Sequence, residues 1–100
     1  MQLEITPTDT GYRLDGEIDM ATADDLSELL QGERTNADPI ELDFSGVTFM
    51  DSSGLRALLE GAGRSDPKHP LVILNPSAQV QRVLDISIPG GTPGLEVRTR

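Results

Sequence analysis

The sequence predicts an α/β domain on a mixed sheet of four to five strands, with helices packed mainly on one face. Three observations predict it. Segments of period-two hydrophobicity repeatedly give way to segments of helical period, so strands alternate with helices along most of the chain. The first two strands flank a short turn and form an antiparallel hairpin, whereas strands separated by a helix pair in parallel through right-handed crossovers. Strands near both ends alternate apolar with charged residues, so one sheet face meets water and a doubly wound sheet is excluded.

The elements follow in order. Leu3 and Ile5 alternate with Gln2, Glu4 and Thr6, and Tyr12, Leu14 and Ile18 alternate with Arg13, Asp15 and Glu17, while Pro7 to Gly11 supply the turn. Ala23, Leu26, Leu29 and Leu30 form a helical stripe opened by Thr22, with Asp25 three residues on in the manner of a capping box, and Asn36 to Pro39 end it. Ile40, Leu42 and Phe44 alternate with Glu41 and Asp43, which gives a strand from Ile40 to Phe44. A short polar loop, Asp51-Ser52-Ser53-Gly54, leads into a helix from Ser53 to Arg64 whose apolar stripe is Leu55, Leu58, Leu59 and Ala62. A turn around Asp66-Pro67-Lys68 precedes Leu71-Val72-Ile73-Leu74, a continuous apolar run that reads as a more buried strand. Asn75-Pro76-Ser77 supply turn and cap for a helix from about Ser77 to Asp85, Pro89 to Gly94 are loop, and Leu95 to Val97 make a short final strand.

At 100 residues the chain suits a single domain, residues 1–100. Lys and Arg total 8 against 17 for Asp and Glu, a formal charge of -9, so nucleic acid is not expected as a partner. With no cysteine there is neither a disulfide framework nor a thiolate metal site. The single histidine, His69, lies between Lys68 and Pro70 in a turn-like stretch and reads as a solvated loop residue. No apolar run approaches the roughly 20 residues of a membrane span, so direct membrane insertion is not expected. Met1-Gln2-Leu3-Glu4 lacks the basic and apolar regions of a signal peptide, and the expected compartment is the cytoplasm. A monomer is the expected state.

Loops that leave the C-terminal ends of parallel strands gather on one edge of such a sheet, where α/β proteins place their sites. Asp19 to Thr22, Asp51 to Gly54 and Asn75 to Ser77 would meet there. Each has a structural duty available, since Asp51 or Ser52 can cap the helix and so can Thr22 and Ser77, while Asp19 is the least explained by capping. One cap needs one oxygen, however, and the loop offers Asp51, Ser52 and Ser53, so a hydroxyl is left over that could face a partner. Intrinsic catalysis is not expected. A serine hydrolase needs a base beside its nucleophile and an orienting third group, and Met50-Asp51-Ser52-Ser53-Gly54 lacks the first glycine of a G-x-S-x-G elbow. There is no G-x-x-x-x-G-K-[ST] loop for nucleotide phosphates, and the acidic metal pocket of a receiver domain is missing, so no cofactor or metal is expected.

The strand Leu42-Asp43-Phe44-Ser45-Gly46-Val47 leading through Phe49-Met50-Asp51-Ser52-Ser53-Gly54-Leu55 into a helix resembles the signature of the STAS domain family, the anti-sigma factor antagonists and their relatives. Leu14-Asp15-Gly16-Glu17-Ile18-Asp19 followed by Ala21-Thr22-Ala23 resembles the first motif of that family, and Leu71 to Pro76 with Val80 to Leu84 resembles its third strand-helix step. The similarity runs from about Leu3 to about Val97. It departs at Leu84-Asp85-Ile86-Ser87-Ile88-Pro89-Gly90-Gly91, where many relatives have an aromatic residue and a shorter turn. The resemblance implies a STAS-like single domain that is not an enzyme. It implies an anti-sigma factor antagonist that binds a serine-kinase anti-sigma factor, releases the sigma factor, is switched off by phosphorylation of Ser52 and is reset by a phosphatase. Asp51 and Asp19 would surround the acceptor, with Thr22, Ser53, Gly54 and Leu55 completing the partner-binding set. The alternative within the family is a non-phosphorylated scaffold, such as the cytoplasmic subunit of a lipid-transport ABC system.

Overall fold

Five strands lie side by side in the order in which the chain writes them, and only the first pair is antiparallel. The computed structural model describes residues 3–32, 40–63 and 69–99. Its elements are β1 (Leu3–Pro7), β2 (Gly11–Ile18), α1 (Ala23–Gly32), β3 (Ile40–Met50), α2 (Ser52–Gly63), β4 (Leu71–Leu74), α3 (Ala78–Ser87) and β5 (Leu95–Arg98). β2 pairs in parallel with β3, β3 with β4 and β4 with β5, so the mixed sheet expected from the alternation of strands and helices is present. The helix end at Asn36 to Pro39, residue Arg64 and the turn at Asp66-Pro67-Lys68 lie outside the described residues. Among the described residues no helix is long and apolar enough to cross a membrane.

One face of the sheet carries the core. Leu14, Ile18, Leu42, Phe44, Leu71 and Ile73 project from it against Leu26 and Leu30 of α1, Leu55, Leu58 and Ala62 of α2, and Val80 and Leu84 of α3, all of them buried. Burial of such side chains contributes roughly 1.5–3 kcal/mol each relative to exposure, which makes this layer the main source of stability. β4 is buried at all four positions, as its unbroken apolar run requires.

The other face carries charged residues around the apolar Val72 and Leu74 of β4, and several of those charges are paired. Arg13 on β2 donates from Nε and Nη2 to the Asp15 carboxylate at 3.1–3.2 Å, lies 3.5 Å from Asp43 Oδ2 on β3 and donates to Ser45 Oγ at 3.3 Å. The hydrogen bonds to Asp15 and then its charge, with a smaller contribution from Asp43, push the guanidinium pKa above its ordinary value, so this cation stays protonated. Thr10 donates to Glu41 at 2.7 Å and Arg98 pairs with Glu96 at 3.3 Å.

β3 is longer than its hydrophobic alternation predicts, running past Phe44 to Met50. Its pairing with β2 slips twice, between Arg13↔Asp43 and Asp15↔Gly46 and again between Gly16↔Val47 and Glu17↔Phe49, each time with an extra residue on β3. These are β-bulges, and they convert the inward spacing from two to three, so Phe44, Val47 and Met50 all face the core. A period of two cannot reveal such a strand. Gly46 sits in the first bulge, where a Cβ would collide with the Asp15 carboxylate that holds Arg13.

Close approach of β2 to β3 imposes a second glycine. A Cβ at Gly11 would collide with the Glu41 carbonyl, a backbone atom that cannot step aside, whereas one at Gly63 would meet open space. Gly11→Ala should therefore lower stability by about 2 kcal/mol or more and Gly63→Ala should be neutral or slightly stabilising. Urea midpoints at unchanged m-value measure both, and equal midpoints for the two variants would contradict this packing.

Candidate functional site

β2 and β3 end together, with Ile18 opposite Met50, and the Asp51 amide donates to the Ile18 carbonyl at 3.1 Å as one further rung of the ladder. Helix α2 begins at the next residue. The polar loop expected from Asp51 to Gly54 is therefore a single residue, Asp51, and Ser52, Ser53 and Gly54 form the first turn of the helix. Asp51 is the cap: Oδ1 accepts from the amides of Ser53 at 2.8 Å and Gly54 at 3.4 Å, and its carbonyl accepts from the Leu55 amide at 3.1 Å.

Because Asp51 supplies the capping oxygen, Ser52 does not. The Ser52 side chain is exposed at the first helical position, and among the described residues its hydroxyl has no hydrogen-bond partner. Gly54 and Leu55 behave differently from expectation. A Cβ on Gly54 would lie 2.6 Å from Ile18 Cγ2 and 2.7 Å from Met50 Cγ, so this glycine lets the helix press onto the strand ends. Leu55 is 7% exposed and belongs to the core. Neither presents surface to a partner.

The neighbouring connection, from β2 to α1, is built on the same plan. Asp19 Oδ1 accepts from the Ala21 amide at 2.9 Å and its carbonyl accepts from the amides of Thr22 and Ala23, so Asp19 is occupied by its own turn rather than unexplained by capping. Thr22 is 3% exposed. Its hydroxyl donates back to the Glu17 carbonyl at 2.9 Å and accepts from the Asp19 amide at 3.0 Å, so it ties helix to strand instead of forming the expected capping box with Asp25 or meeting a partner.

The third connection does not arrive by the residues expected. β4 stops at Leu74, opposite Asp43 and well short of Met50, and Asn75 turns away with a φ of 55°, its amide donating to the Arg98 carbonyl. Ser77 caps α3 as predicted, accepting from the Val80 amide at 3.3 Å. Gln79, in the first turn of α3, makes the contact. Its Oε1 accepts from the Met50 amide at 2.9 Å and its Nε2 donates to the Met50 carbonyl at 3.0 Å, so a side-chain amide pairs with the end of β3 as another strand would. Nothing in the local pattern of the sequence marks Gln79, because the contact depends on how far β3 extends.

Beside the first turn of α2, α1 and α2 enclose a shallow groove of about 330 Å³, lined by Met20, Asp24, Ser27, Ser53, Arg56 and Glu60 among others. Ser27 Oγ lies 3.5 Å from Glu60 Oε1 across it. Met20 at its rim is 81% exposed, a large apolar side chain in the turn between Asp19 and Ala21. Among the described residues the end of the sheet thus presents two unengaged hydroxyls, the exposed Ser52 and the half-buried Ser53, with one exposed thioether and a groove with charges of both signs.

A family model described as "Mlab, STAS domain" matches residues 1–87. The chain belongs to the STAS domain family. Members of that family are regulatory and non-catalytic. The fold of this STAS domain is similar to that of an anti-sigma factor antagonist from Mycobacterium paratuberculosis, with a TM-score of 0.73 and 21% identity over 95% of this chain and 84% of that one. It is also similar to the anti-sigma factor antagonist SpoIIAA in its unphosphorylated form, with a TM-score of 0.65 and 22% identity over 95% of this chain and 86% of that one. At these identities the likeness is one of fold. No curated protein sequence matches the chain significantly. The family match stops at residue 87, within the stretch where the sequence departs from its relatives. In this STAS domain that stretch finishes α3 and turns through Gly90 and Gly91, both at positive φ, into β5.

The division of labour at the turn sets the expected effects of substitution. Asp51→Ala should cost about 1 kcal/mol through loss of the cap, and Ser52→Ala should stay within about 0.5 kcal/mol of the parent. Gln79→Met should cost about 2 kcal/mol by stranding both polar groups of Met50. Chemical denaturation gives the energies, and amide exchange at Met50 should accelerate in the Gln79 variant beyond what the global loss explains.

Proposed function

We propose that this STAS domain is an anti-sigma factor antagonist. Unmodified, it binds an anti-sigma factor that is also a serine kinase and so frees the sigma factor; phosphorylated on Ser52, it lets go, and a phosphatase resets it. The observation that carries the reading is the exposed Ser52 hydroxyl, left unengaged because Asp51 caps the helix. The similar folds of two proteins titled anti-sigma factor antagonists support it. A cytoplasmic location suits a partner that needs Mg-ATP.

In this reading the domain is a substrate, not a catalyst. The kinase transfers the γ-phosphoryl group of ATP to Ser52 Oγ, takes up the hydroxyl proton and releases ADP. Asp19 and Asp51 fix the backbone on either side of the acceptor, and Thr22, Gly54 and Leu55 act from within by holding both helix starts on the strand ends. Contact with the partner falls to Ser52, Ser53 and the groove beside them. Phosphorylation adds roughly -1.5 to -2 charges next to Asp51. In a docked interface that charge must be desolvated near like charge, and a penalty of about 4 kcal/mol weakens binding about a thousandfold.

A second reading, a STAS scaffold that is never phosphorylated and docks on an ATPase such as that of a lipid-transport ABC system, is favoured by one observation: the matching family model carries the description Mlab and no reference to sigma factors. Incubation of the full chain with candidate kinases and Mg-ATP, read by mass spectrometry, separates the two. Label on Ser52 is expected, with Ser52→Ala unlabelled but still bound by the kinase and Ser52→Asp bound less well. Label confined to Ser53 would move the acceptor site, absence of label with any cognate kinase would favour the scaffold, and equal affinities of the two variants would defeat the charge argument.

A further inference from the structure

A phosphate on Ser52 needs a positive counterpart, and the usual one at a helix start is already taken. The amides of Ser53 and Gly54 point at the Asp51 carboxylate and that of Leu55 at the Asp51 carbonyl, which leaves the Ser52 amide as the one first-turn donor without an acceptor among the described residues, too little by itself to balance a dianion. The connection beside it offers no relief, because the Ala21 amide is held by Asp19 and those of Thr22 and Ala23 by the Asp19 carbonyl. The whole chain carries 8 basic residues against 17 acidic ones. Any cation close to Ser52 is therefore notable.

Arg56 is that cation. It stands four residues after Ser52 on α2, at the spacing that places two side chains on the same helical face one turn apart, within reach of each other. Both are exposed. Arg13 and Arg98 are committed to carboxylates, but the Arg56 guanidinium has no ion-pair or hydrogen-bond partner among the described residues, although Asp24 and Glu60 line the same groove. It is positioned for an anion that the unmodified protein does not supply.

We propose that phosphorylation of Ser52 creates an intramolecular pair in which Arg56 captures the phosphate, a planar bidentate donor facing a group of three acceptor oxygens. The pair draws Arg56 out of the α1–α2 groove. The modification then changes two features of the docking surface at once, adding a dianion at the helix start and removing the cation of the groove. This rests on the assignment of Ser52 as the acceptor.

The test is chosen to stand apart from that assignment. Phosphoserine is installed at position 52 of the full chain by genetic-code expansion, without a kinase, and the phosphate is titrated by phosphorus-31 NMR at low ionic strength. The second ionisation of phosphoserine lies near pH 6, and pairing with Arg56 favours the dianion, so the midpoint in the parent should fall below that of Arg56→Gln by about 0.5, a threefold change in proton affinity. Arg82→Gln, which removes an exposed cation from α3, should titrate like the parent. The difference should vanish in molar salt. Equal midpoints for parent and Arg56→Gln, or a shift seen only in Arg82→Gln, overturn the proposal. Thermal unfolding of the unmodified Arg56→Gln variant should match the parent, since this exposed side chain holds nothing in place. Failure of every kinase to label Ser52 would sink the proposed function while leaving the pair measurable, and the reverse result is equally distinguishable.

Discussion

The hydrogen bond from the Asp51 amide to the Ile18 carbonyl is the contact on which the functional end of this domain depends. It extends the parallel ladder by one residue and leaves no slack between strand and helix. A helix that starts immediately after a strand must turn against the strand ends, and only a residue without a side chain at Gly54 allows the approach to Ile18 and Met50. Gln79 grips Met50 from the opposite side. The backbone position of Ser52 is thus fixed by the sheet, through bonds to the backbone on both edges of β3, and not by a loop free to choose among conformations. Groups set on rigid elements are held more closely than groups on loops, which is what recognition of a single oxygen requires.

That construction separates stability from signalling. The oxygen that caps α2 belongs to Asp51, and the apolar contacts that seat the helix belong to Leu55, Leu58 and Ala62 on its inward side. Ser52 contributes to neither. Chemistry on its hydroxyl changes charge and volume at the surface while the hydrogen bonds and packing beneath remain in place. Under the proposed function the partner reads electrostatics on a constant shape, and the free energy of the switch resides in the interface.

Much of the architecture was legible in the sequence because the relevant residues alternate cleanly. The hairpin, the helical stripe from Ala23 to Leu30, the buried strand Leu71 to Leu74 and the Ser77 cap all follow from local periodicity and turn chemistry. β3 was only half legible, since two bulges replace the period of two by a period of three after Phe44 and make Ser45 to Met50 resemble a loop. That error carried into the site. Seen as a four-residue loop, Asp51 to Gly54 seemed to offer Gly54 and Leu55 as surface, whereas the longer strand turns both inward. Thr22 was misread for a related reason: a threonine before a helix suggests a cap, but this hydroxyl faces back to Glu17 across a turn whose geometry no local pattern encodes. Asp51 caps the helix while Ser52 beside it stays exposed, a distinction that the local pattern leaves open, and Gln79 emerges only once tertiary placement is known.

The two faces of the sheet also bear on where a partner lands. The helix-free face is charged, yet several of its charges are already engaged: Arg13 is shared by Asp15, Asp43 and Ser45, Thr10 binds Glu41, and Arg98 binds Glu96. A protein docking there would have to desolvate or break these pairs, and each imperfectly replaced contact subtracts from affinity. At the α1–α2 edge the position is reversed. Met20 is exposed apolar area that gains from burial, and among the described residues Arg56 is a cation without a partner and Ser52 a hydroxyl without one. Surplus binding free energy arises where docking need not break contacts already made, so that edge is the better docking surface. Under the proposed function a phosphate on Ser52 would deepen the negative charge beside Asp51, Asp24 and Glu60 at this same edge, so the surface that binds would also be the surface that is switched.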